Sequence, residues 1–204
     1  MLKEERIGVE FTTNEGYQVI VIDYINSKKV QVMFLDDYKY TTWTQWDVLK
    51  VGSLKNPFHK SVFGVGYLGT NENGQIPKCS INGTITREYQ VWSGMMKRCY
   101  SDKFHESRRT YEKCTVWKRW HNFSLFLEDI DKIQDYEDWK KNDKSYDLNK
   151  DKYYAELGIE TDCKEYNLQT VRFILDKENS KESAERSGLG KQIGIGRKRK
   201  GEID

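Results

Sequence analysis

The sequence carries only four cysteines in 204 residues, at positions 79, 99, 114 and 163, with no CxxC pair among them. That spacing excludes a zinc ribbon and a thioredoxin-type motif, and it points to an intracellular protein with reduced thiols. Long hydrophobic runs are also missing. Apolar stretches such as 19–22 last only a few residues, whereas a bilayer-spanning helix needs about 20, so no membrane partner is expected. Residues 1–15 mix both signs of charge and hold no apolar stretch of the kind a secretory signal requires. Charge of one sign is scarce as well, because 34 basic and 32 acidic residues leave a net +2. What is abundant is aromatic surface: 13 Tyr, 8 Phe and 6 Trp make up 13% of the chain. That much ring area rules out a wholly disordered chain. The length suits one large domain or two small ones.

The near-neutral total hides a strong asymmetry. Between positions 87 and 121 stand nine basic residues and four acids. Between 128 and 165 stand thirteen acids and seven lysines. The stretch 190–201 then adds Lys191, Arg197, Lys198, Arg199 and Lys200 with no acid. A basic centre is followed by an acidic segment and a basic tail.

Residues 1–65 read as β structure. Strand-like runs at 17–25, 30–34 and 40–43 are rich in Val, Ile, Tyr and Phe, with turn signals between them. Short strands without intervening helices predict a small antiparallel barrel or sandwich. The stretch 62–85 is dense in Gly and Asn and reads as a connector, or as an ordered arm laid over a partner. A helix is predicted at 87–100, with Tyr89, Trp92, Met96 and Cys99 on one face and Thr86 as its cap. The loop 101–113 is basic and lacks apolar periodicity. A second helix is predicted from about 116 to 133. Residues 134–146 read as polar and exposed. From Tyr166 onward a short strand-like or turn piece passes into a polar helix. A GIGIG stretch at the tail lacks GxGxxG spacing and carries no nucleotide-binding signal.

The densest pattern lies between Tyr89 and Phe126. It reads Y-x-x-W-x-x-M-x-x-R-C-Y … Y-x-x-C-x-V-x-x-x-W-x-x-F-x-x-F over Tyr89, Trp92, Met95, Arg98, Cys99, Tyr100, Tyr111, Cys114, Val116, Trp120, Phe123 and Phe126. The aromatic spacing by itself needs only a hydrophobic core. The whole pattern resembles bacteriophage proteins of the HNH homing-endonuclease family. The resemblance extends to Leu148-Asn149-Lys150-Asp151, to the stretch from Tyr166, to Gly52-Ser53-Leu54-Lys55-Asn56-Pro57 and to Gly64-Val65-Gly66-Tyr67-Leu68-Gly69. It implies an α+β fold: a small antiparallel β-barrel at 1–62, a Gly-rich connector at 63–86, an α-rich, degenerate HNH-like (ββα-type) domain at 87–186 and a flexible basic tail at 187–204.

HNH chemistry needs a His as general base, and an Asp plus a later His or Asn to hold one divalent metal against the scissile phosphate. By resemblance the Asp position is Asn149, the base position Lys150 and the closing ligand Glu182. A neutral amide is a poor ligand for a hard cation, and a protonated lysine cannot accept a proton. The standard one-metal machinery therefore reads as dismantled. Asp147, Asp151 and Glu182 could rebuild a carboxylate site for Mg²⁺ or Mn²⁺; otherwise no cofactor is expected. A zinc site from Cys99, Cys114 and His105 would match no standard finger.

Three functions follow. The favoured one is a DNA-binding protein on a decayed HNH scaffold. Its phosphate contacts would come from Lys97, Arg98, Lys103, Arg108, Arg109, Lys118, Arg119 and Arg172, and from the tail residues Arg197, Lys198, Arg199 and Lys200. The alternative for the basic loop is a solvated charged face. The second function is an active metal-dependent endonuclease using Asp151, Glu182 and Lys150. The third is a phage inhibitor of a host nucleic-acid-binding complex such as a CRISPR nuclease. Its acidic Asp135, Glu137 and Asp138 would mimic phosphate charge. Each places the chain in the cytoplasm of a phage-infected bacterial cell.

Overall fold

The computed structural model describes residues 4–141, 146–161, 163–175 and 177. The chain divides into two compact units, one formed by Met1–Lys78 with His121–Leu125 and the other by Cys79–Trp120 with Phe126–Asp204. Along the chain the division falls after Lys78 and again on either side of His121–Leu125. Most of the Gly-rich connector belongs to the first unit.

The first unit is an antiparallel sheet in the order β1 (Glu10–Thr12), β2 (Gln18–Asn26), β3 (Lys29–Phe34) and β4 (Thr41–Thr44), followed by the short helix α1 (Trp46–Lys50). Strand periodicity sorts its side chains. Val19 and Val21 of β2, and Val30, Val32 and Phe34 of β3, point inward, and Trp46 and Leu49 of α1 complete the core. A register shift between Val21 and Asp23 bends β2, as an extra residue in a ladder does. The predicted barrel is seen here as an open sheet. Among the described residues β1 and β4 are its edges and do not pair with each other. A sheet closes into a barrel only when its two edge strands pair in a staggered register, and four short strands do not bring β1 and β4 together.

The connector is ordered by backbone pairing. The Tyr67 N–H donates to the His121 carbonyl and the Phe123 N–H to the Tyr67 carbonyl, both at 2.9 Å. Gly69 sits at φ +65°, and a Cβ there would collide with the Asn122 side-chain amide. Only glycine fits both requirements.

The second unit begins with a two-strand hairpin, β5 (Ser80–Ile81) and β6 (Thr84–Ile85). Next comes α2 (Arg87–Tyr100), the one element whose predicted bounds match the structure. The Thr86 side chain accepts the Tyr89 N–H, the expected N-cap. Trp92, Met95, Met96 and Cys99 form its buried stripe, spaced as one helix face.

The predicted basic loop contains the short helix α3 (Asp102–His105) and a 3₁₀ turn at Arg109–Tyr111. The long second helix is broken into β7 (Thr115–Val116), a 3₁₀ turn at Lys118–His121, α4 (Phe123–Asp129) and a further turn at Ile130–Lys132. Side-chain bonds replace helical ones here. The Trp92 indole N–H donates to the Trp120 carbonyl at 2.7 Å, and the Trp120 indole N–H donates to buried Asp129 at 3.1 Å.

Residues expected to be exposed form α5 (Tyr136–Lys141), which buries Tyr136 and Trp139. Trp139 stacks on Phe173 at 4.7 Å. Asp135, Glu137 and Asp138 on the same stretch are exposed. The remaining elements are β8 (Tyr146–Asn149), α6 (Asp151–Glu156), β9 (Glu165–Tyr166) and β10 (Arg172–Leu175). β8 pairs antiparallel with β10, and β7 pairs parallel with β9. No helix among the described residues is long and apolar enough to cross a membrane.

Candidate nucleic-acid interface

The residues singled out by the motif meet where β8 ends. Asn149 is buried, and its Oδ1 accepts the Lys152 N–H at 2.9 Å. It therefore occupies a donor in the first turn of α6. Lys150 is only 3% exposed. Its Nζ lies 3.1 Å from Asp151 Oδ1 and over the rings of Tyr111 and Tyr166, at 4.7 and 5.1 Å. Two aromatic faces and a carboxylate are what a buried ammonium needs to remain charged.

Asp151 is shared. Its Oδ1 also accepts from Lys164 Nζ at 2.9 Å. Burial raises its tendency to hold a proton, but Lys150 and Lys164 outweigh burial and hold the carboxyl well below its usual range. Burial likewise works against the Lys150 ammonium, yet Tyr166 and Asp151 push it above the ordinary lysine value. Burial drives the Tyr166 hydroxyl up to about 12, so it stays protonated at neutral pH. Burial also drives Cys99 up to about 12 and raises Cys114. Neither thiol is poised as a nucleophile or metal ligand, since both functions need the thiolate.

This arrangement decides what the site can do. A protonated, caged lysine cannot take a proton from water. A carboxylate already engaged by two amines offers little to a metal. Among the described residues no three His, Cys, Asp or Glu side chains come together as a metal-holding group. Asp147 is exposed and lies opposite Ile174 in the β8–β10 ladder. Glu182 lies outside the described residues.

The expected phosphate contacts separate into three sets. Arg98 is not a surface cation: its guanidinium donates to the Leu148 carbonyl and to the Tyr166 hydroxyl, each at 3.3 Å. Arg119 is paired with Asp129 at 2.7 Å and Glu128 at 2.8 Å, and Arg172 with Glu156 at 2.7 Å. These three serve the interior or nearby carboxylates. Lys97, Lys103, Arg108, Arg109 and Lys118 are exposed and make no ion pair with a described residue. Arg197, Lys198, Arg199 and Lys200 lie outside the described residues.

Short helices account for that display. Ser101 caps α3 by accepting the Phe104 N–H at 3.3 Å. The His105 ring donates from Nε2 to the Arg98 carbonyl at 2.8 Å, which ties α3 to the end of α2 and makes His105 a strut. Phe104 and Tyr111 pack edge to face at 5.7 Å. The charged ends of Lys103, Arg108 and Arg109 project from this small scaffold. Reading from sequence missed Lys164 as the second partner of Asp151, because nothing in a thirteen-residue separation marks it.

Comparison with protein-family models, curated proteins and solved structures gives no match to this chain.

Proposed function

We propose that this chain binds duplex DNA without cutting it, on a decayed HNH-type scaffold. The observation that carries the proposal is the set of exposed cations Lys97, Lys103, Arg108, Arg109 and Lys118 within one short stretch of the second unit, none in an ion pair with a described residue. Cations without a carboxylate partner are free to displace counterions from a phosphate backbone. The Lys150 cage supports the same reading. Where the resemblance calls for a general base, an ammonium is locked against Asp151. On this reading the N-terminal open sheet is an accessory module, and the basic tail adds further phosphate contacts.

The test is fluorescence anisotropy of a labelled duplex across a salt series, without metal. Wild-type affinity should fall linearly with salt on logarithmic axes. Arg108→Ala/Arg109→Ala should weaken binding and lower the slope by about 2, roughly one for each arginine taken off the phosphate backbone. An unchanged slope and affinity would remove this surface from the interface. If no duplex is bound at any salt concentration, the exposed carboxylates Asp135, Glu137 and Asp138 become the surface to probe, against a host nucleic-acid-binding complex.

A further inference from the structure

We infer that the β5–β6 hairpin is a ribbon that enters the major groove of the duplex, which rests on the DNA-binding reading above. The hairpin turns through Asn82 and Gly83, at φ +50° and +78°. This is the primed turn that Asn-Gly favours, because both residues tolerate positive φ. All six residues from Ser80 to Ile85 are exposed. Ser80 pairs with Ile85 and Ile81 with Thr84. Cross-strand partners share a face, so one face carries Ile81 and Thr84 and the other carries Ser80 and Ile85. Ile81 is 58% exposed and Ile85 50%. Each face of the ribbon therefore presents a bare isoleucine beside a hydroxyl.

A docking surface that is flat covers only one face. A ribbon bare on both is covered by a slot. With a side chain on each face it is roughly 10 Å thick, by the spacing of packed sheets. The major groove is about 12 Å wide and admits a two-stranded ribbon, whereas the minor groove is about 6 Å wide. The chemistry agrees. Ser, Thr and Asn side chains bond base edges, and apolar groups contact the thymine methyl. No Asp or Glu occurs from position 73 to 87, so nothing on this stretch repels a polyanion.

The hairpin is also held in place. The Thr86 N–H donates to the Cys79 carbonyl at 2.9 Å, across the base of the ribbon, and the Thr86 side chain caps α2. The ribbon thus sits at the N-terminal end of α2. Lys97 lies near the other end and Lys103 follows on α3. A fourteen-residue helix is about 21 Å long at 1.5 Å per residue. That matches roughly six steps of 3.4 Å along one DNA strand. Base contacts at one end and phosphate contacts at the other would fix a register.

The test uses full-length Ile81→Ser/Ile85→Ser, whose side chains are exposed and leave the fold intact by circular dichroism. Two mixed-sequence duplexes serve as probes, one with thymine and one with uracil throughout. Wild type should bind the uracil duplex several-fold more weakly, since the C5-methyl is gone. The double variant should lose about tenfold on the thymine duplex and no longer distinguish the two. Wild type should protect guanine N7 from methylation, and the variant should not. Equal affinity of wild type and variant, with unchanged N7 protection, would overturn the ribbon while leaving salt-dependent DNA binding standing. Loss of self-association by the variant, without any change on DNA, would make a second copy the occupant and overturn the proposal. No duplex binding by wild type would overturn both readings.

Discussion

The two units bury their cores by different means. The first relies on aliphatic alternation: Val19, Val21, Val30, Val32 and Phe34 face inward from two strands, and α1 adds Trp46 and Leu49. Among its described residues the second has one long helix and otherwise elements of two to seven residues, with charged groups inside. Lys150 and Asp129 are each 3% exposed. Burying such groups costs several kcal/mol unless partners are in place. The partners here are Asp151, Arg119, Lys132 and the Trp120 indole. The first unit is therefore specified by pattern, and the second by particular side-chain bonds.

The comparison breaks most sharply at Trp120. Trp120→Ala removes an edge-to-face contact with Phe126 at 5.3 Å and a donor to Asp129. It should cost about 3–5 kcal/mol, read as a shift in the urea midpoint by circular dichroism. A loss below about 1 kcal/mol would mean that the second unit does not depend on this junction.

Asp151→Ala should cost a similar amount, about 3–5 kcal/mol, because it strands a buried ammonium. Lys150→Met in the same chain should recover much of that loss, since the stranded charge goes with it. Equal midpoints for the single and double variants would show that Lys150 and Asp151 are not coupled. In the first unit, Leu49→Ala should cost about 2–5 kcal/mol by cavity formation alone, with no second-site rescue by a charge change.

Acid should find the second unit through its carboxylates. Burial raises Asp151 and Asp129, but their amine, guanidinium and indole partners bring both below the ordinary value. A depressed carboxyl stabilises the fold above its unfolded value, about pH 4, and that contribution is lost as pH falls through the folded one. Lys150, raised, contributes below about pH 10.4 and loses that contribution as pH rises through its folded value. The urea midpoint should fall steeply below about pH 4, and Asp129→Asn should flatten part of that fall.

The smallest expected effect is at the α2 cap. Thr86→Ala should cost about 1 kcal/mol, measured by the same denaturation.

The same contrast explains which parts of the chain were legible in its sequence. Strand β3 was visible because its valines fall at every second position, and β2 because its run is rich in Val, Ile and Tyr. α2 was visible because its apolar stripe, its Thr86 cap and its polar flanks agree. The span 116–133 has helical spacing at Trp120, Phe123, Leu127 and Ile130, yet it breaks. Lys118–His121 turns so that the Trp120 carbonyl can accept from Trp92, a tertiary bond that local periodicity does not encode. Tyr136 and Trp139 were hidden in a polar stretch, where two rings at i and i+3 are a weak signal. At the site, Asn149 and Lys150 were identified by motif, but the ring partners of Lys150, Tyr111 and Tyr166, and the second partner of Asp151, Lys164, come from two distant segments. Exposed and internal arginines look alike in sequence. Arg98 was indistinguishable from Arg108 until its partners Leu148 and Tyr166 were seen.

The central claim is that an ammonium caged where a general base would stand leaves a protein that holds DNA and does not cut it. Supercoiled plasmid incubated with purified protein and Mg²⁺ or Mn²⁺, then resolved on a gel, tests it directly. The account predicts a salt-sensitive mobility shift and, after deproteinisation, plasmid that is still fully supercoiled. Nicked or linear product that requires the metal, and that disappears in a folded Asp151→Asn variant, would contradict it.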